Sequence, residues 1–288
     1  MRTDGRQSEN LEDRRGQGPA RRGGLVGGGI GVLVIAVIAM FFGLDPRIVL
    51  NLLGEGAGPA PASLPAPSGR KPPADDAKAR LVGVVLADTE DTWNAVFRAA
   101  GQSYREPKLV LFSDSTPTAC GVGQHATGPF YCPLDQSVYI DLAFYEELQH
   151  RFKAPGDFAQ AYVIAHEVGH HVQNQLGIMS KVQGLQQASS QVDANRLSVR
   201  LELQADCLAG VWAHHADRSR QIVEPGDIDE ALQAATAIGD DALQKRSAGR
   251  VVPDSFTHGS SEQRTHWFRA GWKSGQLAAC NTFAPGAP

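Results

Sequence analysis

The chain has 288 residues, of which 42% are hydrophobic, and its 27 lysines and arginines are outnumbered by 31 aspartates and glutamates. This length is enough to bury one substantial core. The net charge of -4 argues against nucleic acid as a partner, because contact with phosphates relies on an excess of basic side chains.

The first 44 residues predict a tail followed by a membrane anchor. Residues 1–22 hold six arginines, and residues 23–44 carry no charge and could cross a hydrocarbon core of about 30 Å as a helix. The positive-inside rule then predicts a single-pass protein of a bacterial cell membrane, with a cytoplasmic N-terminus and a periplasmic or extracellular remainder. A glycine-rich loop and a cleaved signal peptide are the alternatives for this segment.

A linker and a folded domain follow. Residues 45–79 are rich in proline, alanine and glycine without apolar periodicity, which is typical of a semi-rigid linker. Residues 80–288 then form the expected domain. Its first elements are a helix through Trp93 and Phe97, a strand at 108–112 and a strand at 137–142.

Four cysteines fit a compartment outside the cytoplasm. They are Cys120, Cys132, Cys207 and Cys280, an even number without a C-x-x-C pair. Three pairings are possible, and buried free thiols are a further alternative. We favour Cys120 with Cys132, which closes a glycine-rich local loop, and Cys207 with Cys280, which ties the C-terminal segment to a helix.

The segment DFAQAYVIAHEVGHHVQNQLG predicts a helix with Asp157 as its N-cap and Gly177 as its stop. It contains an H-E-x-x-H pattern, in which His166 and His170 are four residues apart and can reach the same metal ion. Glu167 lies beside them without being a ligand and is the candidate general base for a metal-bound water.

A second helix, predicted over 188–216, supplies acidic residues at helical spacing. A catalytic zinc site needs three protein ligands and an open position. We therefore predict Glu202 as the third ligand and Asp206, four residues later, as a hydrogen-bond partner that orients a ligand histidine. A solvated helical face is the alternative for this acid pair, and His171, His214, His215 and Asp206 itself are rival ligands.

The spacing also excludes one class of metallopeptidase. Metzincins continue the motif as H-E-x-x-H-x-x-G-x-x-H, whereas this chain has Gln173 and Leu176 at the last two positions. Strands followed by the H-E-x-x-H helix and then by the acidic helix predict an α+β domain with a small sheet and a glutamate-ligand metal site.

The motifs HEVGH and ELQAD resemble those of gluzincin-type membrane peptidases, a group that includes the CAAX prenyl proteases. Their T-H-P-x-x-x-x-R motif has a counterpart that begins at Thr257, although Gly259 replaces the proline. The resemblance implies that His258 stabilises the oxyanion in the active site, and a histidine of a surface loop is the alternative. It also implies that Arg264 braces Asp206 or Glu262.

Motifs along nearly the whole chain, including CGVGQHATGPFYCPLDQSVYIDLAF, HEVGHHVQ, ELQADCLAG and HGSSEQRTHWFRAGW, are similar to those of the neutral zinc metallopeptidase family of bacterial membrane proteins. The resemblance implies a zincin-like fold that binds one zinc ion per chain.

The expected function is a membrane-anchored zinc metalloendopeptidase acting on a peptide or protein substrate. Glu167 would take a proton from a zinc-activated water. The strand residues Val138, Tyr139 and Ile140 would offer an edge for pairing with an extended peptide. The alternatives are a non-catalytic zinc scaffold and a zinc hydrolase of a cell-wall amide. The aromatic segment HWFRAGWKSG is expected to pack as a helix on the core.

Overall fold

A computed structural model describes residues 1–16 and 69–287 of the chain. Within those residues, eight α-helices are combined with two small sheets, in agreement with the expected α+β class. The strands are β1 (Leu11–Asp13), β2 (Lys108–Phe112), β3 (Ser115–Thr118), β4 (Gly121–Gln124), β5 (Phe130–Cys132) and β6 (Ser137–Asp141). The helices are α1 (Ala77–Ala99), α2 (Ala143–His150), α3 (Asp157–Gln175), α4 (Ile178–Gln187), α5 (Gln191–His215), α6 (Asp227–Ala237), α7 (Asp240–Ala248) and α8 (Ser261–Ser274).

The segments with clear periodicity form elements close to the predicted bounds. The helix through Trp93 and Phe97 is α1, and both aromatic side chains are buried. The two predicted strands are β2 and β6, and the C-terminal aromatic segment is α8. Because Trp267 and Phe268 are buried on α8, that helix packs on the core as expected.

The larger sheet has the strand order β1-β2-β6-β5, with β1, β2 and β6 parallel and β5 antiparallel to β6. The expected substrate edge at Val138, Tyr139 and Ile140 is therefore wrong. These residues lie in β6, which pairs with β2 on one side and with β5 on the other, and all three are buried. The outer strands of the described sheet are β1 and β5.

Both faces of this sheet are covered. Side chains alternate between the two faces of a strand, so Leu109 and Leu111 of β2 join the main core while Val110 and Phe112 join a smaller cluster. Phe130 packs against that smaller cluster. The β3–β4 hairpin lies on Phe130 so closely that a Cβ atom added at Gly123 would come within 2.3 Å of its ring.

The first 16 residues belong to the same compact unit as the rest of the described chain. β1 extends the sheet in parallel with β2, with Leu11 opposite Leu109, and both side chains are buried. The Ser8 hydroxyl donates a hydrogen bond to the buried carboxylate of Glu90 in α1. These contacts differ from the expected division, in which residues 1–22 form a separate cytoplasmic tail.

The chain leaves this unit and returns to it at neighbouring points. Asp13 N–H donates to the Arg70 carbonyl at 2.6 Å, and Arg70 N–H donates to the Asp13 carbonyl at 3.1 Å. A salt bridge of 2.7 Å joins Arg15 to Asp76 at the start of α1. Both flanks are therefore parts of one folded unit. The expected single crossing between the N-terminus and the domain falls on residues outside the described ranges, and none of these contacts supports it.

The expected transmembrane segment, residues 23–44, lies outside the described residues, as does most of the expected linker. None of the described helices combines the length and the apolar character needed to span a bilayer.

Helices α5 and α8 cross with their backbones in contact. A Cβ atom added at Gly271 would lie 1.9 Å from the carbonyl oxygen of Cys207, and one added at Gly210 would lie 2.1 Å from that of Phe268. Only glycine permits this approach, which brings the side chains of α8 against the acidic face of α5. Both favoured disulfides are present, and Cys207–Cys280 covalently joins the chain after α8 to α5.

Candidate metal centre

The H-E-x-x-H residues lie in the middle of α3, which is buried over most of its length. The helix begins one residue earlier than an Asp157 N-cap would require, since Gly156 precedes it with a φ of 119° and Asp157 is its first helical residue. Gly177 follows its end with a φ of 71°, in the left-handed region typical of helix ends. His166 and His170 are both buried on the face that meets α5.

Glu202 of α5 completes a cluster of three possible ligands. Its Oε2 lies 3.1 Å from His166 Nε2, and its Oε1 lies 3.4 Å from His170 Nε2. One ligand atom from each of the three residues lies within 4.8 Å of the other two. The structure therefore brings together the three residues that the sequence predicted as ligands.

Small residues allow α3 and α5 to approach closely at this point. A Cβ atom added at Gly169 would lie 3.0 Å from the Ala205 carbonyl oxygen and 3.4 Å from the Ala205 Cβ. Gly169 lies within the H-E-x-x-H motif, and Ala205 lies within the E-x-x-A-D motif. Helix packing thus explains why small residues occupy these two motif positions, which metal binding by itself does not specify.

In His166 and His170, the ring nitrogen that faces away from Glu202, Nδ1, is hydrogen-bonded to an acceptor. His166 Nδ1 lies 2.9 Å from Asp206 Oδ1, and His170 Nδ1 lies 2.9 Å from Gln173 Oε1. With Nδ1 donating, Nε2 is the ring nitrogen that faces Glu202, and in the neutral imidazole that a metal ion binds it carries the lone pair. Two imidazole nitrogens and one carboxylate form a donor set that suits a catalytic zinc ion, which takes three protein ligands and keeps one open position.

Asp206 is the centre of a buried polar network. Its carboxylate accepts from Arg264 Nε at 2.9 Å and from Arg264 Nη2 at 3.0 Å, and also from the Tyr162 hydroxyl. Asp206 is completely buried and Arg264 almost so. Burial raises the pKa of Asp206, but Arg264 and His166 outweigh it and hold the pKa below its ordinary value. The carboxylate that orients His166 is thus kept charged.

Charges within the cluster also shift the pKa values of the ligands in the metal-free protein. Burial lowers the pKa of His166, but Asp206 and Glu202 outweigh it and raise the pKa to about 10. Burial raises the pKa of Glu202, but His170 and His166 hold it well below its ordinary value. The metal-free site at neutral pH therefore pairs a carboxylate with a protonated imidazole.

Glu167 is a buried carboxyl group on α3. Its burial raises its pKa, while the neighbouring imidazoles of His170 and His166 oppose the shift. A raised carboxyl pKa brings proton uptake closer to neutral pH, as a general base requires.

The rival histidines lie in other hydrogen bonds. His171 bonds to the Tyr131 hydroxyl at 3.0 Å and to the Arg105 carbonyl at 2.6 Å, and burial lowers its pKa to about 4. His214 donates to the Trp272 carbonyl in the last turn of α8, and His215 donates to the Gly275 carbonyl just after that helix. None of the three belongs to the ligand cluster.

His258 precedes α8 in a loop that Asp240 of α7 organises. Asp240 Oδ2 accepts from three successive backbone N–H groups of the loop, at 2.7, 2.7 and 3.1 Å. The other oxygen of Asp240 lies 3.2 Å from His258 Nδ1. Burial lowers the pKa of His258, but Asp240 and the charge of Glu202 raise it overall. His258 is 41% exposed, so it lies beside the cluster and not inside it.

Sequence reasoning missed Tyr162, Gln173 and Asp240. Tyr162 is four residues before His166 and Gln173 is three residues after His170, so both lie on the ligand face of α3. Helical spacing could have found these two. Asp240 is 18 residues from His258 in another element, and no local pattern connects them.

Two histidines of an H-E-x-x-H helix facing a glutamate of a second helix define the class of zincin-type metal sites with a glutamate ligand. The chain belongs to the family described as putative neutral zinc metallopeptidase, which matches residues 1–283.

Two similar proteins span the chain to different extents. The uncharacterized protein YpfJ of Escherichia coli strain K12 is 50% identical over 285 residues, which cover 96% of each chain. The uncharacterized protein Rv2575 of Mycobacterium tuberculosis strain H37Rv is 41% identical over 216 residues, which cover 71% of this chain and 72% of that protein. No solved structure matches this chain.

Proposed function

We propose that the protein is a zinc-dependent metalloendopeptidase with His166, His170 and Glu202 as metal ligands. The observation that supports this most strongly is the convergence of both Nε2 atoms on the Glu202 carboxylate, with each Nδ1 held by a separate acceptor. Family membership points in the same direction.

A bound zinc ion supplies Lewis acidity, which lowers the pKa of water and polarises a scissile carbonyl. Glu167 then has two tasks. It accepts the proton of the attacking water and passes it to the leaving amine. Its burial beside two imidazoles supports this role, because the raised pKa makes both transfers accessible near neutral pH.

His258 is proposed to stabilise the oxyanion that forms at the substrate carbonyl. Asp240 holds Nδ1, so Nε2 is the nitrogen left for the substrate. The raised pKa of His258 favours the protonated, donating form. Arg264 does not contact the substrate in this proposal; it keeps Asp206 charged and thereby orients His166.

An extended substrate would pair with β5 and not with β6. Within the described sheet β5 has a strand on only one side, as the addition of a peptide strand requires. β5 is also held next to the metal helix, since the Tyr131 hydroxyl contacts His171 Nδ1 at 3.0 Å and accepts from the Asn174 amide at 2.9 Å. An edge beside α3 suits a peptide whose scissile bond must reach the metal.

The two disulfides support a location outside the cytoplasm, where oxidising conditions preserve such bonds. A substrate in that compartment would be a peptide or an unfolded protein segment, because pairing with a strand edge needs an extended chain.

The test uses the full-length protein and compares wild type with Glu167→Gln for bound zinc and for cleavage of unfolded casein. Glu262→Gln, on the exposed face of α8, is the matched control. We expect all three proteins to hold about one zinc per chain and Glu167→Gln alone to lose cleavage. Zinc binding without cleavage in the wild type would favour a scaffold or a non-protein substrate.

A further inference from the structure

A chain of buried amides leads from His170 to the C-terminal segment of the protein. His170 Nδ1 lies 2.9 Å from Gln173 Oε1, and Gln173 Nε2 donates to Gln204 Oε1 at 3.1 Å. Gln204 Nε2 donates in turn to the Cys280 carbonyl at 2.9 Å. Gln173 is completely buried and Gln204 nearly so, and neither has a place in the proposed reaction.

The orientation of each amide in this hydrogen-bonded series is fixed by a backbone carbonyl group, which can only accept hydrogen bonds. Gln173 Nε2 also donates to the Leu201 carbonyl at 2.7 Å. Reversing the Gln173 amide would set its oxygen against that carbonyl, and reversing Gln204 would do the same at Cys280. A buried contact between two acceptors loses the hydrogen bond and leaves both oxygen atoms desolvated without a donor, which is unfavourable. The two backbone carbonyls therefore determine the orientation of both side chains.

The consequence reaches the metal site. With its Oε1 turned towards His170, Gln173 can only accept, so His170 Nδ1 must carry the proton. His170 Nε2 is then the nitrogen with the free lone pair, and it is the one that faces Glu202. We infer that Gln173 and Gln204 are positioning residues that fix the tautomer and the orientation of His170 for zinc. The inference rests on the ligand set of the proposed function.

The end of the chain of amides is anchored covalently. The Cys207–Cys280 disulfide joins the Cys280 backbone to α5, three residues beyond Gln204 on the same helix. The Thr282 hydroxyl adds a hydrogen bond of 2.6 Å to the Arg200 carbonyl. The segment after α8 thus contributes to zinc binding without offering a ligand.

The test measures the zinc dissociation constant of the full-length protein by competition with a chelator. Gln173→Met keeps the length of the side chain and removes the acceptor, and we expect zinc to bind about 10- to 100-fold more weakly. Gln204→Met removes one of two acceptors for the Gln173 amide, and we expect a loss of about two- to tenfold. Gln175→Met, on the same helix beside His171, should bind zinc as the wild type does.

The double variant separates a relay from two independent effects. If Gln204 acts through Gln173, then Gln204→Met adds no further loss in the Gln173→Met background. Equal losses in both backgrounds would overturn the relay, and so would Gln173→Met binding zinc as tightly as the wild type. A wild type that binds no zinc would overturn it together with the ligand assignment. A wild type that binds zinc but does not cleave casein would contradict the peptidase proposal alone.

Discussion

Replacing Arg264 by methionine should strongly destabilise the protein, because it leaves the Asp206 carboxylate buried without its main partner. Asp206 is 0% exposed and Arg264 is 2% exposed, and two hydrogen bonds of 2.9 and 3.0 Å join them. Removing one member of a buried ion pair costs about 3–5 kcal/mol. The Tyr162 hydroxyl and the His166 ring remain hydrogen-bonded to Asp206, but they do not replace the two bonds from the guanidinium.

The measurement is the free energy of unfolding in urea, made on metal-free protein so that zinc does not mask the loss. The double variant Arg264→Met with Asp206→Asn should lose less stability than the two single losses added together, because it no longer buries a carboxylate without its arginine. Arg196→Met is the control. Its partner Asp193 and Arg196 itself are both exposed, so the loss should stay below about 1 kcal/mol.

The cost of Arg264→Met should also depend on pH. Without the arginine, His166 is the remaining charge that opposes the effect of burial, so the pKa of Asp206 should rise and the variant can neutralise the carboxyl group by taking up a proton. In the wild type the pKa of Asp206 is lowered and the group stays charged. The destabilisation should therefore be smaller near pH 5 than near pH 8. A loss below about 1 kcal/mol at both pH values would refute the view that Arg264 is needed to keep Asp206 charged.

Three further predictions follow from the same contacts. His258→Phe should lower kcat by about 10²- to 10³-fold. Asp240→Asn should lower kcat by less than His258→Phe does, and the double variant should lose no more than His258→Phe alone. A further loss in the double variant would show that Asp240 does not act through His258. Zinc affinity should rise with pH between about 6 and 8, by up to about tenfold per unit for each proton released, because the pKa of His166 is raised to about 10 in the metal-free site. Chelator competition at several pH values measures this, and a flat profile would contradict it. Single added cysteines at the exposed positions Asp4 and Ser103 should both react, or both fail to react, with an impermeant maleimide on intact cells; labelling of only one would refute a common side.

The sequence predicted the metal cluster well because its geometry is local. His166 and His170 are separated by about one helical turn, and Glu202 and Asp206 repeat that spacing on a second helix. Side chains four residues apart share a face whatever the tertiary structure. The one long-range step, the meeting of the two helices, was inferred from the ligand count that zinc requires.

The failures concern contacts between distant segments. β1 has three residues, two of them acidic, and nothing in such a segment favours a strand over a loop. Its pairing with β2 depends on Leu11 meeting a buried hydrophobic face, which only the folded domain provides. The prediction that β6 forms an edge of the sheet was wrong for a related reason. A buried hydrophobic strand can be central or at an edge, and the sequence does not show how many neighbours it has.

The position of β1 also changes the meaning of the N-terminal arginines. Counting them as cytoplasmic anchors assumes that they are free in solution next to the membrane. Arg6 instead pairs with Glu90 and Asp91, while Arg14 and Arg15 pair with acidic residues of β1. Charges committed to a folded unit share the location of that unit. The positive-inside rule therefore cannot treat these arginines as free charges beside a membrane.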